Sequence, residues 1–242
     1  MMASLRSILR KSLHRTIHRF GFRLVRAPAF ERAILNWELD HQPFYFVQVG
    51  AHNGITSDPF HRFLIENLAW ESILIEPQGP CVKTLRSIYA DRENIRIEHA
   101  AIGPAGSEQK SLTMYKISDS AVGLPHWANQ LASARREVIA SHKDRIEDIE
   151  QWIQVEEVPC VQLGQLVLKH QFPRVDLLAS DTEGFDFEIV QQIDSLPSLP
   201  RFIYYEHLHL GKQEYARSLG FLHDRGYRTE AVNNGDTFAQ LG

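Results

Sequence analysis

With 242 residues, of which 43% are hydrophobic and 10% aromatic, the chain can bury one sizeable core, and it contains no run of about 18 apolar residues that would cross a membrane as a helix. Its two cysteines, Cys81 and Cys160, lack the CxxC spacing of a metal or redox site and read as buried small residues in a reducing, cytoplasmic compartment. The net charge of -4 hides an asymmetry: residues 1–32 hold eight Lys or Arg against Glu31, which leaves 18 against 29, a net of -11, for residues 33–242 and argues against a nucleic-acid groove.

The basic part is a device of its own. Leu5, Ile8, Leu9, Leu13, Ile17, Phe20 and Leu24 recur at three- and four-residue steps, with Arg6, Arg10, Lys11, Arg15, Arg19 and Arg23 between them, which predicts an amphipathic basic helix. Three uses compete for it: docking on the protein's own body or a partner subunit, peripheral contact of residues 1–26 with an anionic membrane surface, and targeting as an Arg-rich presequence. A second short helix is expected over residues 30–39, so residues 1–40 form an extension and a single domain runs over 41–242.

That domain opens on its most informative stretch, residues 46–59. An apolar run at 44–49 suits a strand covered on both faces, and Gly50 and Gly54 then bracket Ala51, His52 and Asn53 in a turn where another molecule can approach the backbone. Ser57 or Asp58 can cap a following helix with Pro59 at its first position, and the N-terminus of such a helix attracts anions. The same residues would also serve as a plain strand-to-helix connection.

A second strand over 71–75 ends at Glu76, 22 residues past Gly54, where nucleoside-binding α/β folds place an acid for the ribose hydroxyls. A helix over 80–89 and a strand over 95–102 follow, and the small residues Ala100 and Ala101 leave room for a flat ring. Residues 110–117 read as an added edge strand. Residues 118–154 lose the α/β rhythm and are expected to form two helices in an insertion that caps the strand ends.

The repeat resumes with a strand at 158–162, a helix at 163–170, and a strand from Val175 that runs into Ser180-Asp181-Thr182-Glu183-Gly184. After a helix at 185–193, a strand at 201–205 ends in Glu206-His207-Leu208-His209. A helix at 212–225 and a closing hairpin around Asn233-Asn234-Gly235-Asp236 make the last strand antiparallel to the rest. His207 and His209 share a face of an extended segment, and with Asp181 and Glu183 they could hold a divalent metal, although a hydrogen-bonded polar network is the favoured reading.

Five or more βα units closed by such a hairpin make an α/β fold with a seven-stranded, Rossmann-like sheet, parallel except for the C-terminal hairpin strand, with helices on both faces. The segments Val49-Gly50-Ala51-His52-Asn53-Gly54, Ile75-Glu76-Pro77, Val175-Asp176-Leu177-Leu178, Asp181-Thr182-Glu183-Gly184 and Glu206-His207 together resemble FkbM-type methyltransferases of the class I superfamily over residues 41–210. The resemblance implies S-adenosylmethionine as cofactor. The stretch Gly50 to Gly54, with Ala51 and Asn53, would wrap its methionine part, Glu76 would hold the ribose, and His99 to Ala101 would line the adenine. Many family members carry an acid where this chain has Gln48, assigned to the same cofactor turn, and a lysine where it has Ser180.

The expected reaction is O-methylation of a hydroxyl on a small or glycan-like acceptor, the sugar being implied by the resemblance alone. Asp181, Glu183 and His207 are the candidate catalytic residues, with the two acids favoured as the acceptor-facing pair. A nucleotide-dependent oxidoreductase is the rival enzyme, but the GxxxG spacing of Gly50 and Gly54 is not the G-x-G-x-x-G that a pyrophosphate needs. A non-catalytic, membrane-peripheral scaffold that keeps the fold is the rival from another class.

Overall fold

A computed structural model of the chain describes residues 28–118, 120–125, 127–128 and 131–242, so the basic helix expected before residue 27 lies outside the described residues. The chain divides into two units, residues 1–39 and 40–242. In the first, helix α1 spans Ala29–Glu38.

Among the described residues the second unit contains two sheets. Its elements in order are β1 (Phe44–Val49), α2 (His61–Glu66), β2 (Trp70–Ile75), α3 (Gly79–Ile88), β3 (Ile95–Glu98), β4 (Ala101–Ile102), β5 (Ser111–Ile117), β6 (Ala132–Ser133) and α4 (Arg136–Ala140). There follow β7 (Ile153–Val161), α5 (Leu163–Lys169), β8 (Leu177–Ser180), α6 (Asp186–Val190), β9 (Phe202–Glu206), α7 (Lys212–His223), β10 (Tyr227–Ala231) and β11 (Asp236–Leu241).

The main sheet has seven strands in the order β10-β11-β9-β8-β1-β2-β3. All its pairings are parallel except those of β11, which runs antiparallel to both β9 and β10. This is the seven-stranded sheet, parallel except for the C-terminal hairpin strand, expected from the sequence. Strands β1, β2, β8 and β9 carry near-continuous apolar runs because helices cover both faces, and Val47, Ile73, Leu178 and Ile203 are fully buried. On the other face Phe44 and Phe63 stack on Trp70, and Phe60 packs edge-on to Tyr204. Strand order reverses between β1 and β8, and a crevice opens there at the carboxyl ends of the strands.

The middle of the chain departs from expectation. The strand expected over 95–102 breaks after Glu98, and its second half, β4, leaves the main sheet to pair with β7. Strand β5 is not an edge of the main sheet; it pairs with β7 and β6 in a second, four-stranded sheet ordered β4-β7-β5-β6. Strand β7 begins at Ile153 rather than 158, pairs antiparallel with β5 over 153–159 and parallel with β4 at 160–161, and leaves one face exposed.

The two helices expected in the insertion are also absent among its described residues: they are replaced by β6, the five-residue α4 and two 3-10 turns, Ser141–Asp144 and Ile149–Trp152. The left-handed Asp148 interrupts the second helical pattern, while Ile117, Leu131, Ile139, Ile146 and Ile149 form a small core of their own. Helix α2 begins at His61, so Pro59 is not its first residue; Asp58 Oδ1 instead accepts the Phe60 N–H at 2.8 Å before the helix starts. Among the described residues no helix is long and apolar enough to cross a membrane.

Candidate active site

The site is built where β1, β2, β8 and β9 end. Gly50 leaves β1 with φ +76° while its N–H and that of Ala51 both donate to Ile75 O at 3.0 Å. A Cβ on Gly50 would lie 1.8 Å from Asp181 O, so only glycine lets the two neighbouring strand ends pass this closely. Gly54, at φ +70°, packs under Leu85. Between them Asn53 Oδ1 accepts the N–H groups of Ile55 and Thr56 at 3.0 and 2.9 Å, which holds the turn in shape.

Glu76 ties this turn to the next strand. It is 2% exposed, and its two oxygens accept the N–H of His52 and the N–H of Gln78, each at 2.8 Å. Burial pushes its carboxyl up to about 7, with the two amides pulling the other way. The carboxylate borders a cavity of about 310 Å³ together with Gly50, His52, Ala101, Asp181 and Glu183. Ala100, Ala101 and Ile102 form one apolar wall, and Leu112 and Met114 of β5 with Ala132 and Ala134 of the insertion extend it. The second sheet and the insertion therefore contribute directly to the cavity.

The opposite side is acidic. Asp181 is exposed at the cavity but surrounded by protein and by other acids, so desolvation first, and then the charges of Asp186, Glu183, Asp236 and Asp58, raise its carboxyl well above the usual range. Glu206, at the end of β9, is pushed up to about 11 by burial and then by Asp181, Asp186, Glu183 and Asp236.

Beneath the loop Asp186 is fully buried and accepts hydrogen bonds from Ser180 Oγ at 2.6 Å, Thr182 N at 3.1 Å and Gly184 N at 3.3 Å. These bonds hold Asp186 down against the burial that lifts it to about 6. They also hold Glu183 at φ +53° and Gly184 at φ +96°, and Ser133 Oγ from the insertion donates to Glu183 O at 2.6 Å.

Of the residues singled out in the sequence, Gly50, Glu76, Ala101, Asp181 and Glu183 border the cavity. Ala51, Asn53 and Gly54 shape the turn behind it. Gln48 is 6% exposed within β1 and faces Asp58 rather than the cavity. His207 also turns away: its ring stacks on Tyr215 at 4.3 Å between centroids, and Nδ1 lies 2.9 Å from Thr237 Oγ1. Burial lowers its pKa. His209, not His207, joins the acids, with Nε2 3.0 Å from Glu183 Oε2 and 4.0 Å from Glu206 Oε1. The four-residue metal grouping of Asp181, Glu183, His207 and His209 is therefore not assembled.

Sequence reasoning passed over Glu206 and Asp186 as site residues. Glu206 ends its strand just as Glu76 does, so the same strand-end argument would have found it. Asp186 left a weaker signal, a carboxylate in the first turn of α6.

Among solved structures the chain is similar to an FkbM methyltransferase from Methylobacillus flagellatus KT, at 12% identity and TM-score 0.46, over 82% of this chain and 43% of that one. It is similar to a precorrin-6y C5,15-methyltransferase from Geobacter metallireducens GS-15, at 12% identity and TM-score 0.44, over 87% and 86% of the two chains. It is also similar to Aeropyrum pernix fibrillarin with natively bound S-adenosyl-L-methionine, at 11% identity and TM-score 0.43, over 82% and 66%. No curated protein sequence matches it. The family rests on the domain match itself, to the methyltransferase FkbM domain over residues 48–229, and the chain thus belongs to the FkbM family of S-adenosylmethionine-dependent methyltransferases.

Proposed function

We propose that the enzyme methylates a hydroxyl of a small or glycan-like acceptor. The observation that carries the cofactor assignment is Glu76: a buried carboxylate, fixed by one amide from the β1 turn and one from the start of α3, borders a cavity whose adjoining wall is Ala100, Ala101 and Ile102. Hydroxyl pairs of a ribose would find acceptors on Glu76, a flat base would find the apolar wall, and Gly50 leaves backbone room for the methionine part. His52 and Gln78, both at the cavity edge, join this cofactor set. Gln48, Ala51, Asn53 and Gly54 act on the cofactor through the shape of the turn.

S-adenosylmethionine supplies an electrophilic methyl group on a sulfonium. The chain supplies alignment, a dry wall, and an acidic floor that favours a nearby positive charge. Asp181 opens onto the cavity with a raised pKa and accepts the proton of an acceptor hydroxyl once it is ionised. Glu183 orients that hydroxyl, and His207 supports the strand end from behind through Thr237 and Tyr215. The same reading keeps the protein cytoplasmic, with residues 1–26 available to contact an anionic surface.

The test is thermal stabilisation by S-adenosylhomocysteine followed by transfer of labelled methyl to a panel of hydroxylated small molecules and glycans. Stabilisation by a nicotinamide dinucleotide instead would overturn the reading in favour of an oxidoreductase.

A further inference from the structure

Beside the proposed cofactor cavity, Glu183, Glu206 and His209 each bring one ligand atom to a common point, all within 4.8 Å of one another. We propose that these three residues bind a first-row divalent cation of the Mn2+ type, and that the hydroxyl oxygen of the acceptor completes its coordination. The second half of that statement rests on the methyltransferase reading above; the cation site does not.

The spacings fit such an ion. An octahedral cation with bonds of about 2.1 Å holds adjacent ligand atoms about 3.0 Å apart and opposite ones about 4.2 Å apart. His209 Nε2 stands 3.0 Å from Glu183 Oε2 and 4.0 Å from Glu206 Oε1. Two carboxylates and one neutral imidazole balance a divalent charge, and the imidazole favours a first-row transition ion over Mg2+ or Ca2+.

An independent observation points the same way. The Glu206 side chain is 13% exposed, and its Oε2 is sealed from solvent without a hydrogen-bond partner, as is Glu183 Oε2 apart from its approach to His209. Among the described residues none that borders the cavity is Lys or Arg, so it is His209 that stands against the acids there. The backbone of Glu183 is meanwhile held in place by Ser133, and that of Gly184 by Asp186, the kind of outer support that orients metal ligands.

Because Glu183 and Glu206 both border the cavity, the remaining coordination positions face the space where an acceptor would sit. A bound hydroxyl becomes more acidic on such a cation and passes its proton to Asp181, which is not one of the three ligands. Its oxygen then forms the C–O bond as the S–CH3 bond breaks, releasing a neutral thioether and a methyl ether.

The experiment titrates the full chain with Mn2+, following the free-ion signal by electron paramagnetic resonance, and measures S-adenosylhomocysteine stabilisation on the same samples. One Mn2+ per chain is expected, with binding weakened by about tenfold or more in E206Q and in H209N. Both variants keep the S-adenosylhomocysteine shift, which shows that they are folded. A wild-type chain that binds no Mn2+, or variants that bind it as tightly as wild type, would overturn the site. Mn2+ binding without any S-adenosylhomocysteine shift would leave the site standing and remove the methyltransferase reading instead.

Discussion

Glu76 Oε2 accepts the backbone N–H of His52 at 2.8 Å, so the turn after β1 cannot move without the end of β2. In E76Q one of the two amides at this position meets an N–H instead of an acceptor. The substitution is expected to cost about 1–3 kcal/mol of stability, and to weaken S-adenosylhomocysteine binding about tenfold or more, measured by denaturant unfolding and calorimetric titration.

The same residue sets a pH dependence. Its folded-state pKa, about 7, lies above the ordinary value of 4.5, so the folded chain holds the proton that the unfolded chain gives up. The stability this contributes is fully present below about pH 4.5 and is lost as pH rises through about 7, by up to about 3 kcal/mol. Comparing wild type with E76Q in urea at pH 5 and pH 8 checks this: the stability difference between the two proteins should change with pH in that sense. Ligand hydroxyls favour the ionised carboxylate, so cofactor affinity should fall as pH drops below 7.

Gly50 is required by packing rather than by chemistry. G50A places a methyl 1.8 Å from Asp181 O at a left-handed φ and is expected to unfold the domain or lower its stability by more than about 2 kcal/mol. In G54A the clash is with the flexible Leu85 Cδ2 at 2.6 Å, so a smaller loss of melting temperature is expected.

Asp186 acts through the loop it holds. D186N leaves an amide N–H facing Thr182, Gly184 or Ser180, all of which it must serve as an acceptor. Methyl transfer should fall more steeply than S-adenosylhomocysteine affinity, because the displaced loop carries the residues proposed to face the acceptor; equal losses in both would place Asp186 in the general scaffold.

In the proposed mechanism Asp181 is the base and His207 a support. D181N should lower kcat by about a hundredfold or more with cofactor affinity little changed. H207A, which removes a ring stacked on Tyr215, should cost stability while turnover stays within about tenfold of wild type.

Strands β1, β2, β8 and β9 were legible because they are buried along nearly their whole length and so appear as short apolar runs, each running into a Gly or an acid. The hairpin turn Asn233 to Asp236 announced the antiparallel strand in the same way. The second sheet was not legible: β7 alternates polar and apolar residues over only part of its length, and its partner β5 lies 36 residues earlier, beyond any local pattern. In the site, Glu76 and Asp181 could be placed because strand ends converge at a switch point. The outward turn of His207 could not, since residues two apart share a face only while the chain stays extended, and β9 stops at Glu206.

The most direct measurement is calorimetric titration of the full chain and of E76Q with S-adenosylhomocysteine. One saturable site in wild type, weakened about tenfold or more in E76Q, is the predicted result. No binding to wild type, or equal affinity in the two proteins, would contradict the assignment of this cavity and of Glu76 to the cofactor.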